Sequence, residues 1–126
     1  MYYYNATVDR VVDGDTLDLT VDVGFRIYVQ QRFRLYLYNA PETRGDERDL
    51  GLLAKKHLLD ILPQGLQVNV KTYKADSFGR YLSSVYTEKQ GDLVNYLVSN
   101  GWGVYWDGRG LRPSFDPKSL YPNIPA

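Results

Sequence analysis

Cysteine is absent from the 126-residue chain, which excludes disulfides, thiolate metal centres and cysteine nucleophiles. One histidine, His57, is too few for a His-rich zinc site. No apolar run exceeds four residues, so neither a membrane-spanning helix nor the core of a signal peptide is expected. Charge of one sign is not in excess: 15 Lys and Arg balance 15 Asp and Glu, a formal net charge of zero. With no global field, any attraction to an anionic polymer must be local. Internal repeats, low-complexity tracts and linker-like stretches are missing before residue 107. The length suits one compact domain, expected over residues 1–106, with 107–126 as an irregular tail of the same domain. Together these absences predict a cytoplasmic monomer with no membrane and no disulfide partner. A processed secreted form would read the same.

What is present is β patterning. Hydrophobic residues make 44% and aromatic residues 14%, with 12 Tyr against 4 Phe and 2 Trp. From Thr16 to Val23, Leu17, Leu19, Val21 and Val23 alternate with Thr16, Asp18, Thr20 and Asp22, which predicts a half-buried strand. Tyr3 to Val12 reads as a first strand. Arg26 to Tyr38 reads as a third, with Phe33, Leu35 and Leu37 inward and Arg32, Arg34, Tyr36 and Tyr38 outward. Leu66, Val68 and Val70 mark a fourth, and Tyr81 to Tyr86 a fifth. Leu50, Leu53, Ala54, His57, Leu58 and Ile61 form one helical stripe that Pro63 stops. A second, shorter helix fits Asp92 to Asn100, with Gly101 past its end. This order predicts an α+β, mainly β fold: a five-stranded OB-fold Greek-key barrel with two helices and an irregular, Pro-rich C-terminal tail, held by Phe115 and Tyr121. His57, between Ala54 and Leu58, is expected to pack rather than react.

Three polar clusters fall at turns or strand ends. Asp13-Gly14-Asp15-Thr16 opens the second strand, and turn chemistry alone accounts for it. Two acids at that spacing also offer hard oxygen ligands. Asp15 shares parity with Leu17 and Leu19, so its charge needs a partner or a metal if it faces inward. Arg34 to Glu42, RLYLYNAPE, runs off the third strand, with Pro41 stiffening the exit. Asp76-Ser77-Phe78-Gly79-Arg80 separates the fourth and fifth strands and reads by itself as a hairpin loop.

In this order, DGDT, RLxxxNAPE and DxFGR on an OB-like strand order resemble the staphylococcal nuclease (thermonuclease) family from about Val8 to Val104. The resemblance implies a Ca²⁺-dependent phosphodiesterase, with one ion and Mn²⁺ or Mg²⁺ as substitutes, that cuts DNA and RNA with little sequence preference. It implies that Arg34 and Arg80 grip the scissile phosphate and that Glu42 is the general base. Asp15 matches a metal-ligand aspartate, Asn39 falls where the family has a second acidic ligand, and Ala40 falls at a backbone-carbonyl ligand. The chemistry is coherent: arginine forks bind two phosphate oxygens at once, and a general base activates water. Lys71 and Lys74 are expected to add phosphate contacts, and Tyr73, Phe78, Tyr105 and Trp106 either to stack on bases near the site, Phe78 and Tyr105 first, or to pack in the core or rim. The family often carries a longer, Lys-rich loop where this chain has Arg44 to Asp49, and its C-terminal helix is replaced here by the Pro-rich tail. Neutral charge and Asn39 favour a rival reading, a weakly active or inactive OB-fold module that binds nucleic acid or protein. The joint presence of Arg34, Glu42 and Arg80 favours the enzyme, because binding alone needs no general base.

Overall fold

A computed structural model describes residues 3–75 and 80–115. In chain order it contains β1 (Tyr3–Asp13), β2 (Thr16–Asp22), β3 (Tyr28–Leu35), β4 (Tyr38–Asn39), a 3-10 turn (Gly45–Glu47) and α1 (Arg48–Ile61). These are followed by β5 (Gln67–Ala75), β6 (Tyr81–Thr87), β7 (Gly91–Asp92), α2 (Leu93–Ser99) and β8 (Val104–Tyr105). The sheet runs β3-β2-β1-β5-β6-β7, and a parallel pairing of β3 with β6 closes five strands into a barrel. Closure removes the exposed edges that a five-stranded sheet would otherwise present.

Alternation builds the interior. Leu17, Leu19 and Val21 from β2 meet Val8 from β1, Phe33 and Leu35 from β3, Val68 and Val70 from β5, and Val85 from β6, all buried in one core. Register shifts in β1 between Val8 and Arg10 and between Val11 and Asp13 let one long strand bend to serve both β2 and β5. Leu58 and Leu62 bring α1 onto the same core. In α2, Leu93, Val94 and Leu97 are buried, and the Asp92 carboxylate caps the helix by accepting from the Asn95 N–H at 3.0 Å.

Three expected patterns are corrected. Gly24, Phe25 and Arg26 all have positive φ and turn the β2–β3 hairpin, so β3 starts at Tyr28 and Val23 is exposed rather than inward. β3 ends at Leu35, not Tyr38, because Leu37 takes φ of 58° in a turn and reverses the inside–outside parity. Leu37 is consequently exposed, whereas Tyr38 is 1% exposed and pairs with Tyr105 of β8. On α1, Leu53 lies at the exposed margin and Gly51 takes the buried place.

Residues 107–115 form no helix or strand, and Phe115 packs on Leu50 and Ala54 of α1. Tyr121 lies outside the described residues. His57 is a packing residue: its ring stacks on Trp102 at 4.1 Å and its Nε2 lies 2.9 Å from the Tyr96 hydroxyl. Burial lowers its pKa.

Candidate active site

The β1–β2 turn, the chain leaving β3, and the start of β6 meet at one rim of the barrel. Between them opens a cleft of about 710 Å³ lined by Asp13, Asp15, Arg34, Asn39, Glu42, Arg80 and neighbouring residues. Small residues permit this approach. A Cβ on Gly14 would lie 3.0 Å from the Ala40 side chain and 3.1 Å from that of Ala54, so the acidic turn packs directly on the β4 exit and on α1.

Asp15 sits at the back of the cleft with its side chain 16% exposed. Its N–H donates to Asp13 Oδ1 at 3.1 Å, and its Oδ1 accepts from the Thr16 hydroxyl at 2.9 Å. Its only ion-pair contact among the described residues is loose, at 3.9 Å to Arg34 Nη2. Burial and the neighbouring Asp13 carboxylate therefore outweigh Arg34 and the Thr16 hydrogen bond, and the Asp15 pKa is pushed up to about 7. Two adjacent carboxyl groups, with Arg34 only loosely paired to one of them, give this corner oxygen donors for a cation, whose presence would reverse the shift.

Arg34 is held from two sides. Its Nη2 donates to the Tyr38 carbonyl at 3.3 Å, and its guanidinium lies 5.7 Å from the Trp106 ring centre. Arg80 reaches the acidic turn, donating from Nη1 to the Thr16 hydroxyl at 3.4 Å. Asn39 is buried beneath the cleft by Gly103, where a Cβ would fall 2.6 Å from the Asn39 carbonyl oxygen. The Asn39 Nδ2 has no hydrogen-bond partner among the described residues.

Glu42 lies at the mouth with its side chain 56% exposed. Its backbone is fixed firmly: its N–H donates to Glu47 Oε1 at 3.1 Å, and its carbonyl rests on Gly51, where a Cβ would come within 2.0 Å.

Arg112 was not singled out by sequence reasoning, yet it ties this region together. It donates from Nη2 to Glu47 Oε1 and to the Ala40 carbonyl, each at 3.0 Å, and from Nη1 to Glu47 Oε2 at 3.2 Å. Its Nε is 3.7 Å from Glu42 Oε1. Burial pushes the Glu47 pKa up, but the hydrogen bonds from Arg112 and from the Glu42 N–H prevail and hold it below the usual value. The only sequence signal was an arginine between Leu111 and Pro113 in an irregular stretch, which has no periodicity to assign it.

Arg34, Glu42, Arg80, Asp15, Asn39 and Ala40 thus line one cleft. Lys71 does not line it and lies on the outer face of β5. Tyr105 is also turned away, its hydroxyl donating to Asn95 Oδ1 at 2.8 Å, while its neighbour Trp106 lines the cleft. Phe78 and the Lys74 side chain lie outside the described residues.

Among the described residues no three His, Cys, Asp or Glu side chains cluster as a metal site. The available donors are the Asp13 and Asp15 carboxylates and the Asn39 amide, an oxygen-rich set that suits a hard divalent cation rather than a soft one. The Ala40 carbonyl is engaged by Arg112.

A closed five-stranded barrel of this topology, with a helix between its third strand and the next long one, is an OB-type fold. The sequence model of the staphylococcal nuclease homologue family matches residues 32–111, more than half of the chain, and the chain belongs to that family. It is 35% identical over 105 residues to "Endonuclease YhcR" of Bacillus subtilis (strain 168). That match covers 79% of this chain but only 9% of the relative's length. No described helix is long and apolar enough to cross a membrane.

Proposed function

We propose that the chain is a nuclease that hydrolyses phosphodiester bonds of DNA or RNA with little sequence preference, and that it requires a divalent cation, Ca²⁺ first. The observation that carries this reading is the convergence of Arg34, Arg80, Glu42 and the Asp13–Asp15 pair on one cleft. Guanidinium forks opposite carboxylates match the charge that develops in phosphoryl transfer, negative on the phosphate oxygens and positive on the attacking water.

Arg34 and Arg80 would donate to the non-bridging oxygens, and Glu42 would take a proton from water as its oxygen bonds to phosphorus. One P–O ester bond breaks, and the departing alkoxide receives a proton from solvent. Glu42 suits this role because its backbone is pinned while its carboxylate remains open to water. Asp15, with Asp13 and Asn39 beside it, would hold the cation; when bound, that ion adds positive charge at the phosphate. No base-reading group is needed, in keeping with low sequence preference.

Digestion of plasmid DNA and RNA with Ca²⁺, Mg²⁺, Mn²⁺ or EDTA tests the reading. Cleavage is expected with Ca²⁺ and not with EDTA. Arg34→Ala, Glu42→Gln and Arg80→Ala are each expected to lose at least ~10²-fold in rate while remaining folded. Wild-type rates in any of the three would refute the assignment. The second reading, a binding module, rests on Asn39 in place of an acid and on Arg112 occupying the Ala40 carbonyl. Nucleic-acid binding without cleavage under every metal would establish it.

A further inference from the structure

Outside the cleft, the outer face of the barrel carries a continuous aromatic row. Tyr36 stacks on Tyr73 with ring centres 4.1 Å apart and planes 23° from parallel. The Lys71 ammonium lies 5.5 Å from the Tyr73 ring and 5.5 Å from the Tyr3 ring. Tyr3 in turn lies 6.5 Å from Tyr86.

Register places the row on the same face as the cleft arginine. Arg34 is opposite Leu82; two residues along β6, Ser84 is opposite Lys71, which is opposite Tyr3. The Tyr73 hydroxyl is 3.2 Å from the Ser84 hydroxyl, fixing that ring against β6. From β3 to β1 the row crosses three strand spacings, about 14 Å. It begins at Tyr36, two residues beyond Arg34.

Cross-strand aromatic pairs also stabilise sheets, but two features exceed that role. Tyr3 is 65% exposed, and Lys71 has no carboxylate partner among the described residues. On the neighbouring outer face of β2 and β3, by contrast, Arg32 is neutralised by Asp18 at 2.8 Å. The row is therefore a half-exposed π surface, open most at Tyr3, around a lysine with no carboxylate partner among the described residues, and it runs on to the cleft that Arg34 lines. Stacked bases joined by a phosphate backbone complement such a surface, and paired bases do not offer their faces to it.

We propose that the row Tyr36–Tyr73–Lys71–Tyr3 is a stacking track for a single-stranded segment of nucleic acid that runs from the cleft, with Lys71 on its phosphate backbone. This inference rests on the nuclease reading. The track binds the strand beyond the scissile bond and has no part in the bond-breaking step.

The test measures binding in EDTA by fluorescence anisotropy, with a labelled single-stranded 12-nucleotide DNA, an abasic strand of equal length and a blunt duplex. Wild-type protein is expected to bind the single strand more tightly than either of the others. Tyr36→Leu and Tyr73→Leu are each expected to weaken single-strand binding at least about fivefold, while Tyr36→Phe and Tyr73→Phe, which keep the ring, retain it. Lys71→Gln is expected to lower the slope of log affinity against log salt by about one phosphate contact. Circular dichroism reads the fold of each variant.

Equal binding of the abasic and normal strands, Leu variants that bind like wild type, or no strand binding at all would overturn the track. A concentration-dependent dimer abolished by Tyr3→Ser would also overturn it, by assigning the face to a second copy of the chain. Hydrolysis of bis(p-nitrophenyl) phosphate by wild-type protein with Ca²⁺ reads the cleft separately. Activity there without single-strand preference removes the track alone, and no activity there or on polymers removes the nuclease reading.

Discussion

Replacing Asp15 by Asn should make the metal-free protein more stable at the same time as it removes function. Its folded-state pKa of about 7 lies roughly three units above the ordinary 3.8. Between these values the native state binds more protons than the unfolded chain, so the contribution of Asp15 to stability falls as pH rises from 4 to 7. At 1.36 kcal/mol per unit the penalty reaches a ceiling of about 4 kcal/mol above pH 7. The side chain retains 16% of its exposure and has Arg34 at 3.9 Å, and both relieve part of that cost. Asparagine can still accept from Thr16 through Oδ1, and its amide can donate to Asp13 where two carboxylates now repel. A net gain of about 2 kcal/mol is therefore expected at pH 8. Urea unfolding of wild type and Asp15→Asn in EDTA at pH 4, 6 and 8 measures it, and the difference between variants isolates this group from other titrations. The gain should be largest at pH 8 and close to zero at pH 4. A wild type as stable as the variant at pH 8, or a difference that does not change with pH, refutes the electrostatic account. Adding Ca²⁺ should then stabilise the wild type and leave Asp15→Asn unchanged, because only a ligand-competent native state gains from binding.

Gly51→Ala would drive a Cβ to 2.0 Å from the Glu42 carbonyl oxygen; despite alanine's better helix propensity, thermal unfolding should show a loss of about 2 kcal/mol or more. Arg112→Ala leaves Glu47, 14% exposed, without its cation; a loss of about 1–3 kcal/mol is expected at pH 7. The Glu47 pKa is lowered in the folded state, so its contribution is present above the usual carboxylate range and the variant's deficit should close as pH falls through that lowered pKa in acid unfolding. Asn39→Asp restores a charged ligand and should tighten Ca²⁺ binding by isothermal titration from an expected wild-type range of about 10⁻⁴ to 10⁻³ M; unchanged affinity would place Asn39 outside the coordination sphere.

Local chemistry alone determined much of this protein. The three short motifs pointed to six cleft residues only through their resemblance to a known family; the alternation in Thr16–Asp22 and the Leu50–Ile61 stripe with Pro63 after it were legible directly as a strand and a helix. Those features are encoded in neighbours a few positions apart, where side-chain period and turn preference act. The tertiary structure decided the rest. Alternation continued through Tyr36 and Leu37 on paper, but β4 pairs with β8 from more than sixty residues away, and satisfying that pairing requires the positive φ at Leu37 that turns Tyr38 inward. Lys71 looked like a cleft residue from its place near the FGR turn, yet the β1–β5 register puts it beside Tyr3 on the barrel wall. Arg112 became part of the site only because Phe115 anchors the tail on α1, and Gly51 only because the Glu42 backbone lands on it. Such contacts join residues that no periodicity links, so they exist only once closure of the barrel has brought their elements together.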